Sequence, residues 1–199
     1  MIIRRILMSS SLGPIHYWLY NKIRFQEEVT AAIADAYPDN GKSLEYKKDL
    51  PDLEDAMDMI DIHGSLQGMI NDAESRNAKL VTGLLSNGVK LSDIEDTVYA
   101  AGEKHSVKAN NAREAYKSLD DLLLNGMPCD RVVVITGQDD NEVKFSLAEE
   151  IHGDSWQKAG GDVNVYYKLR CAAANGILVA SGFELSGSED NKDYTIKRK

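Results

Sequence analysis

Apolar side chains recur at Ile15, Trp18, Leu19, Ile23, Val29, Ile33 and Ala36, the spacing of one face of a helix. Lys22, Arg24, Glu27 and Glu28 are assigned to its polar side. Pro14 suits the first helical turn, and the turn-forming Pro38-Asp39-Asn40-Gly41 stops the helix, so the pattern predicts a helix over residues 15–36. A second pattern opens at Pro51 and Asp52. Its stripe runs through Leu53, Met57, Ile60, Ile62, Leu66, Met69, Ile70, Ala73, Leu80, Val81 and Leu84, and predicts one long helix to the Asn87-Gly88 stop. Gly64 and Gly68 cut a notch into it. Each costs about 1 kcal/mol relative to Ala unless something packs closely there, so the notch predicts a close helix crossing, a bend or a bound ligand.

Ser92-Asp93-Ile94-Glu95 has the form of a capping box and predicts a third helix from about Asp93. After Gly102 the period resumes with Ala109, Ala112, Tyr116, Leu119 and Leu123, ending at Asn125-Gly126 and Pro128. The last third changes character. Val132-Val133-Val134-Ile135, a turn over residues 137–141, and Val143, Phe145 and Leu147 alternating with polar residues predict a β-hairpin. Asp162 caps a helix bearing Val163, Tyr166, Tyr167, Arg170, Cys171 and Ala174, which Asn175-Gly176 is expected to end. Strands over residues 177–185 and 193–198 follow, joined by a polar turn. The order predicts an α+β fold. An N-terminal antiparallel part of about four helices (residues 1–128) packs on a small antiparallel sheet of two hairpins with an intervening helix (residues 129–199), the two parts forming one compact domain.

The 199 residues are 43% hydrophobic and 28% charged, which excludes low-complexity and wholly disordered classes. With 23 Lys+Arg against 32 Asp+Glu the formal net charge is −9, the wrong sign for binding nucleic acid or an anionic membrane. Cys129 and Cys171 are too few for a disulfide framework; reduced thiols are the simplest reading, with a single bridge as the alternative. The N-terminal apolar run Ile6-Leu7-Met8 is shorter than the roughly 7–15 residues of a signal peptide. A cytoplasmic location is expected.

Four histidines, His16, His63, His105 and His152, are the natural metal or acid/base candidates. None lies in a His-Glu-x-x-His or Cys-x-x-Cys pattern, so a metal site would have to be assembled from distant segments. His63 shares a helix side with Gln67, Asn71 and Glu74 beside the glycine notch, a strip that lines a cavity or borders water. His152 lies between Glu149-Glu150 and Gly153-Asp154-Ser155-Trp156, where an acid would orient the ring. His63, Glu74 and His152 are therefore the metal-ligand candidates, with a divalent metal as the cofactor this reading admits. His16 and Trp18 belong to the most aromatic stretch, suited to a ligand pocket, a subunit contact or plain core packing. Tyr166, Tyr167, Arg170 and Trp156 offer hydroxyls, a guanidinium and an indole to an anionic small molecule.

Other motifs fail on inspection. Asp139-Asp140-Asn141 starts like a calcium loop, but Val143 and Lys144 occupy positions that need an oxygen ligand and a glycine. Gly160-Gly161 lacks the Lys-Ser/Thr of a phosphate loop, and residues 92–124 hold seven acids against four bases, which argues against a DNA-reading helix pair. The negative charge is concentrated in residues 39–61, with eight acids and three bases, and in residues 138–154, with six acids and one base. If these met near His63 and His152 the local field would favour a cation; otherwise they are solvated loops. The leading expectation is a small-molecule-binding domain, a sensor or accessory protein, holding its ligand between helices and sheet. The alternatives are a metal-dependent hydrolase or lyase, and a structural protein that homodimerises through Trp18 and its neighbours.

Overall fold

A computed structural model describes residues 12–38 and 43–199. The turn expected at Asp39-Asn40-Gly41 and the N-terminal run through Ser11 lie outside these. Helix α1 spans Pro14–Ala36, followed by a 3₁₀ turn at Ser43–Tyr46 and by α2 (Leu53–Ala56), α3 (Ile62–Ser86), α4 (Leu91–Glu103) and α5 (Ala112–Asp120). Strands β1 (Val133–Gln138) and β2 (Glu142–Leu147), helices α6 (Gly153–Lys158) and α7 (Val163–Ile177), and strands β3 (Phe183–Gly187) and β4 (Asp193–Arg198) complete the chain. The fold is α+β, with helices packed on a four-stranded antiparallel sheet of two hairpins in the order β1-β2-β4-β3. Among the described residues no helix is long and apolar enough to cross a membrane.

The sheet turns one face inward. Val143 and Phe145 of β2, Phe183 and Leu185 of β3, and Tyr194 and Ile196 of β4 are buried in the main core with α7 and α5. A second cluster joins the first half of α1 to α2 and the start of α3, including Leu19, Ile23, Leu66 and Ile70.

The single helix expected over residues 52–84 is in fact two. Asp58 accepts a hydrogen bond from the Ile60 backbone at 2.9 Å, and Asp61 caps α3 by accepting from Gly64 at 2.9 Å. These short side chains offer the backbone a turn in place of helix, so the apolar phase resets and Ile60, read as part of the stripe, is 94% exposed. Helix α4 starts at Leu91 with Lys90 as its N-cap, so the Ser92 capping box does not form. The short α6, with Trp156 as its buried residue, was not foreseen.

The expected glycine notch is in the wrong place. A Cβ on Gly68 would meet nothing, and one on Gly64 would meet only the capping Asp61. The close crossing is between α4 and α7, where a Cβ on Gly102 would lie 2.2 Å from the Ala173 carbonyl oxygen and one on Gly176 2.1 Å from that of Tyr99. Helix α7 ends at Ile177, one residue past the expected Asn175-Gly176 stop, with Gly176 also serving the crossing, and the strand expected from residue 177 begins at Phe183. Asn175 bridges α7 to β3, donating to the Leu185 carbonyl at 3.0 Å and accepting from the Leu185 N–H at 2.9 Å.

Gly102→Ala and Gly176→Ala are each expected to lower unfolding free energy by about 2–3 kcal/mol through overpacking. Gly68→Ala, in an open helix interior, is expected to raise it by about 0.5–1 kcal/mol. Urea denaturation of the three variants checks both signs together.

Candidate functional site

Lys22 lies on the α1 stripe, one helical turn after Trp18, and is 2% exposed, not on the polar side to which it was assigned. Glu27 is buried too. It is matched by Arg76, which pairs with both its carboxylate oxygens and donates to the Tyr46 carbonyl at 2.7 Å, so it is an internal tie between helices. Lys22 has a thinner partnership. Its Nζ lies 3.2 Å from Asp120 Oδ1 and 3.5 Å above the centre of the Trp18 ring, whose indole N–H donates to Asp121 at 3.0 Å. Burial, opposed by Asp120, lowers the Lys22 amine from 10.5 to about 8.

This amine borders an open cleft of about 300 Å³ between helices and sheet. Trp18 and Lys22 come from α1, Tyr116 and Asp120 from α5, Val133 from β1, and Asn125 and Arg131 from the segment that joins α5 to β1. Arg131 has a φ of 51°, a left-handed conformation uncommon for a side chain of its size. Burial pushes the Tyr116 phenol up to about 12, so at neutral pH it is a protonated hydroxyl.

Tyr116, Asp120, Asn125 and Val133 also line a small neighbouring space of about 20 Å³, together with Arg170 and Tyr194. That volume suits one water molecule. Arg170 donates to the Leu124 carbonyl at 2.8 Å, to Asn125 Oδ1 at 2.6 Å and to the Tyr166 hydroxyl at 3.3 Å. Among the described residues no carboxylate lies within ion-pair distance of it. The hydroxyl of Tyr194, 3% exposed, has no hydrogen-bond partner among the described residues.

Behind Arg170 runs a buried polar seam. His152 and Tyr166 stack at 4.1 Å between ring centres, and His152 Nδ1 lies 2.8 Å from Glu74 Oε1. Glu150 accepts from the Tyr167 hydroxyl at 3.0 Å and from the backbone N–H groups of His152 and Gly153. Burial raises Tyr166 to about 12 and raises Tyr167 further, with Glu150 adding to the effect. Trp156 packs as core against Tyr166, at 6.3 Å between rings.

The fold thus brings Glu74, His152, Trp156, Tyr166, Tyr167 and Arg170 into one cluster, while Trp18 lines the cleft, which none of these six does. His16 and His63 are elsewhere, with rings 6.0 Å apart at the starts of α1 and α3; Gln67 donates to Asn71 on the α3 surface at 2.9 Å. His63 and Glu74 do share a helix side, but at 1.5 Å per residue eleven positions separate them by about 16 Å. Among the described residues no group of three or more His, Cys, Asp or Glu is placed to hold a metal, so the expected ligand set is not assembled. Lys22, Tyr116, Asp120 and Arg131 lie in no sequence motif. The available signal was a lysine one turn from Trp18 on an otherwise apolar stripe.

Comparison with family models, with characterised proteins and with solved structures returned no match.

Holding a protonated amine at about 8 instead of 10.5 costs the fold about 3 kcal/mol. Below pH 8 both folded and unfolded chains carry the proton and the folded state bears this cost. Between about 8 and 10.5 the unfolded chain binds more protons, so stability rises with pH. Lys22→Met is expected to be more stable than the parent by about 1–3 kcal/mol at pH 7, with the difference shrinking at pH 10. Denaturation at the two pH values measures it.

Proposed function

We propose that the chain is a small-molecule-binding domain, a sensor or accessory protein, whose ligand occupies the cleft between α1, α5 and the start of β1. The observation that carries this reading is Lys22, a desolvated amine kept at a cost in stability on the wall of an open cleft. Proteins retain such costs where function needs them. The cleft volume is at the lower end of ligand-sized sites, and its lining combines aromatic surface with a few polar groups. Lys22 and Arg131 against the single Asp120 leave the lining with a net positive charge, which selects a small anion with a flat apolar body. Cys129 and Cys171 are unbridged, in keeping with the reducing cytoplasm we assign to it.

The other two readings have less support. A metal-dependent hydrolase lacks a converging ligand set among the described residues. The Trp18 contact that would mediate a homodimer is engaged within the chain by Asp121 and Lys22.

Thermal-shift titration with aromatic and aliphatic monocarboxylates and with phosphate esters tests the proposal. A ligand at a hundredfold excess over Kd adds about 2.7 kcal/mol, which for a chain of this size raises Tm by roughly 5–10 °C. The expected result is a shift of that order for at least one member of the panel, lost in Trp18→Ala. No shift across the panel, or a shift unchanged in Trp18→Ala, contradicts it.

A further inference from the structure

We propose that Lys22 captures its ligand covalently, by condensing with the carbonyl carbon of a small aldehyde or 2-oxo acid in the cleft to form a reversible imine. The proposal rests on the binding reading above and adds a reaction to it.

Three observations point to this chemistry. First, Lys22 is one of the residues that line the cleft, and its Nζ is held there over the Trp18 ring, so the side chain is already positioned at the cleft wall. Second, a proton carrier is in reach. Asp120 Oδ1, at 3.2 Å, also lines the cleft. Third, the surroundings make the neutral amine easier to reach than it is at an exposed lysine. Arg170 of α7 opposes the Lys22 charge, whereas Asp120 of α5 and the adjacent Asp121 support it; Arg131 and the protonated Tyr116 complete the titratable groups of the lining. Burial outweighs the two acids. A lysine desolvated by burial is a setting in which amines become nucleophiles near neutral pH.

The step balances without an oxidant or reductant. Asp120 takes one proton from the ammonium, and the freed lone pair attacks the carbonyl carbon as the carbonyl π pair moves to oxygen. That oxygen is protonated as the amine nitrogen gives up a second proton, and the product is a carbinolamine. Asp120 returns its proton to the hydroxyl, which leaves as water while the nitrogen lone pair forms the C=N bond. The net change is ammonium plus carbonyl to protonated imine plus water, with charge conserved. A carboxylate on the 2-oxo acid would face Arg131 across the cleft.

The test is reductive trapping on the full chain. The protein is incubated separately with pyruvate and with glyoxylate, reduced with cyanoborohydride, digested and mapped by mass spectrometry, the chain's amino terminus being scored separately. At pH 7 Lys22 is expected to be trapped about tenfold or more faster than the exposed lysines. At pH 9, where Lys22 is largely neutral with or without Asp120, Asp120→Asn slows trapping at Lys22 and leaves the exposed lysines unchanged. Lys22→Arg, checked for folding by its thermal melt, shows no selective adduct. Trapping at Lys22 no faster than at exposed lysines overturns the proposal, as does an Asp120→Asn variant trapped at the parent rate. L-lactate, which has the shape of pyruvate without the carbonyl, separates the two readings. If lactate and pyruvate stabilise the chain equally and Lys22 is not trapped, binding stands and imine formation fails. If nothing is trapped and no member of the wider panel of carboxylates and phosphate esters stabilises the chain either, both fail.

Discussion

Two helix backbones in direct contact set the geometry of the molecule. Gly102 and Gly176 let α4 and α7 approach until the carbonyls of Tyr99 and Ala173 occupy the space where side chains would begin. At that separation the crossing has little freedom to slide, because a helix surface without side chains can move only by breaking backbone contact. Asn175, next to the crossing, ties the same turn of α7 to Leu185 of β3 by two hydrogen bonds. Helix α7 is thus fixed to a helix on one side and to the sheet on the other. Everything it carries, Tyr166, Tyr167 and Arg170 above all, is placed by that double attachment.

What α7 carries is polar and buried, and the polar groups are satisfied to different degrees. Glu74 meets His152, Glu150 is met by Tyr167 and two backbone N–H groups, and Arg170 is held by a carbonyl, an amide oxygen and a hydroxyl. These pairings rigidify the wall behind the cleft, as closed polar networks do. Lys22 is different. It faces one partly exposed carboxylate and an aromatic ring, too little to offset the loss of water around an ammonium. A structural lysine at that position would be improved by an apolar replacement; a functional one has its reactivity set by the same desolvation.

The α+β class and the extents of α1, β2 and β4 were legible because each rests on local signals: an uninterrupted 3.6 period, a strict alternation, and Pro or Gly punctuation. The failures come from tertiary contact in some places and from local capping in one. Gly176 has the same local appearance as a helix stop whether or not a second helix touches it, and Gly68 invites a crossing that no element supplies. Asp58 and Asp61 break the second helix by side-chain capping that competes with a good apolar stripe. At the site, spacing grouped His63 with Glu74 by direction but not by distance, and the histidine that does meet Glu74 is His152, 78 positions further on. Tyr166 and Arg170 were found because they share one face of one helix. Lys22 was passed over because a lysine among apolar residues reads as a border until the opposite wall, α5 with the start of β1, is in place.

The central claim is that the amine of Lys22 is desolvated in the folded chain and so becomes neutral far below the range of an ordinary lysine. NMR titration of the lysine side chains, with the Lys22 resonance assigned by its loss in Lys22→Arg, measures this directly. A midpoint near 8 for that resonance is the predicted result. A Lys22 midpoint at or above 10 would contradict the account.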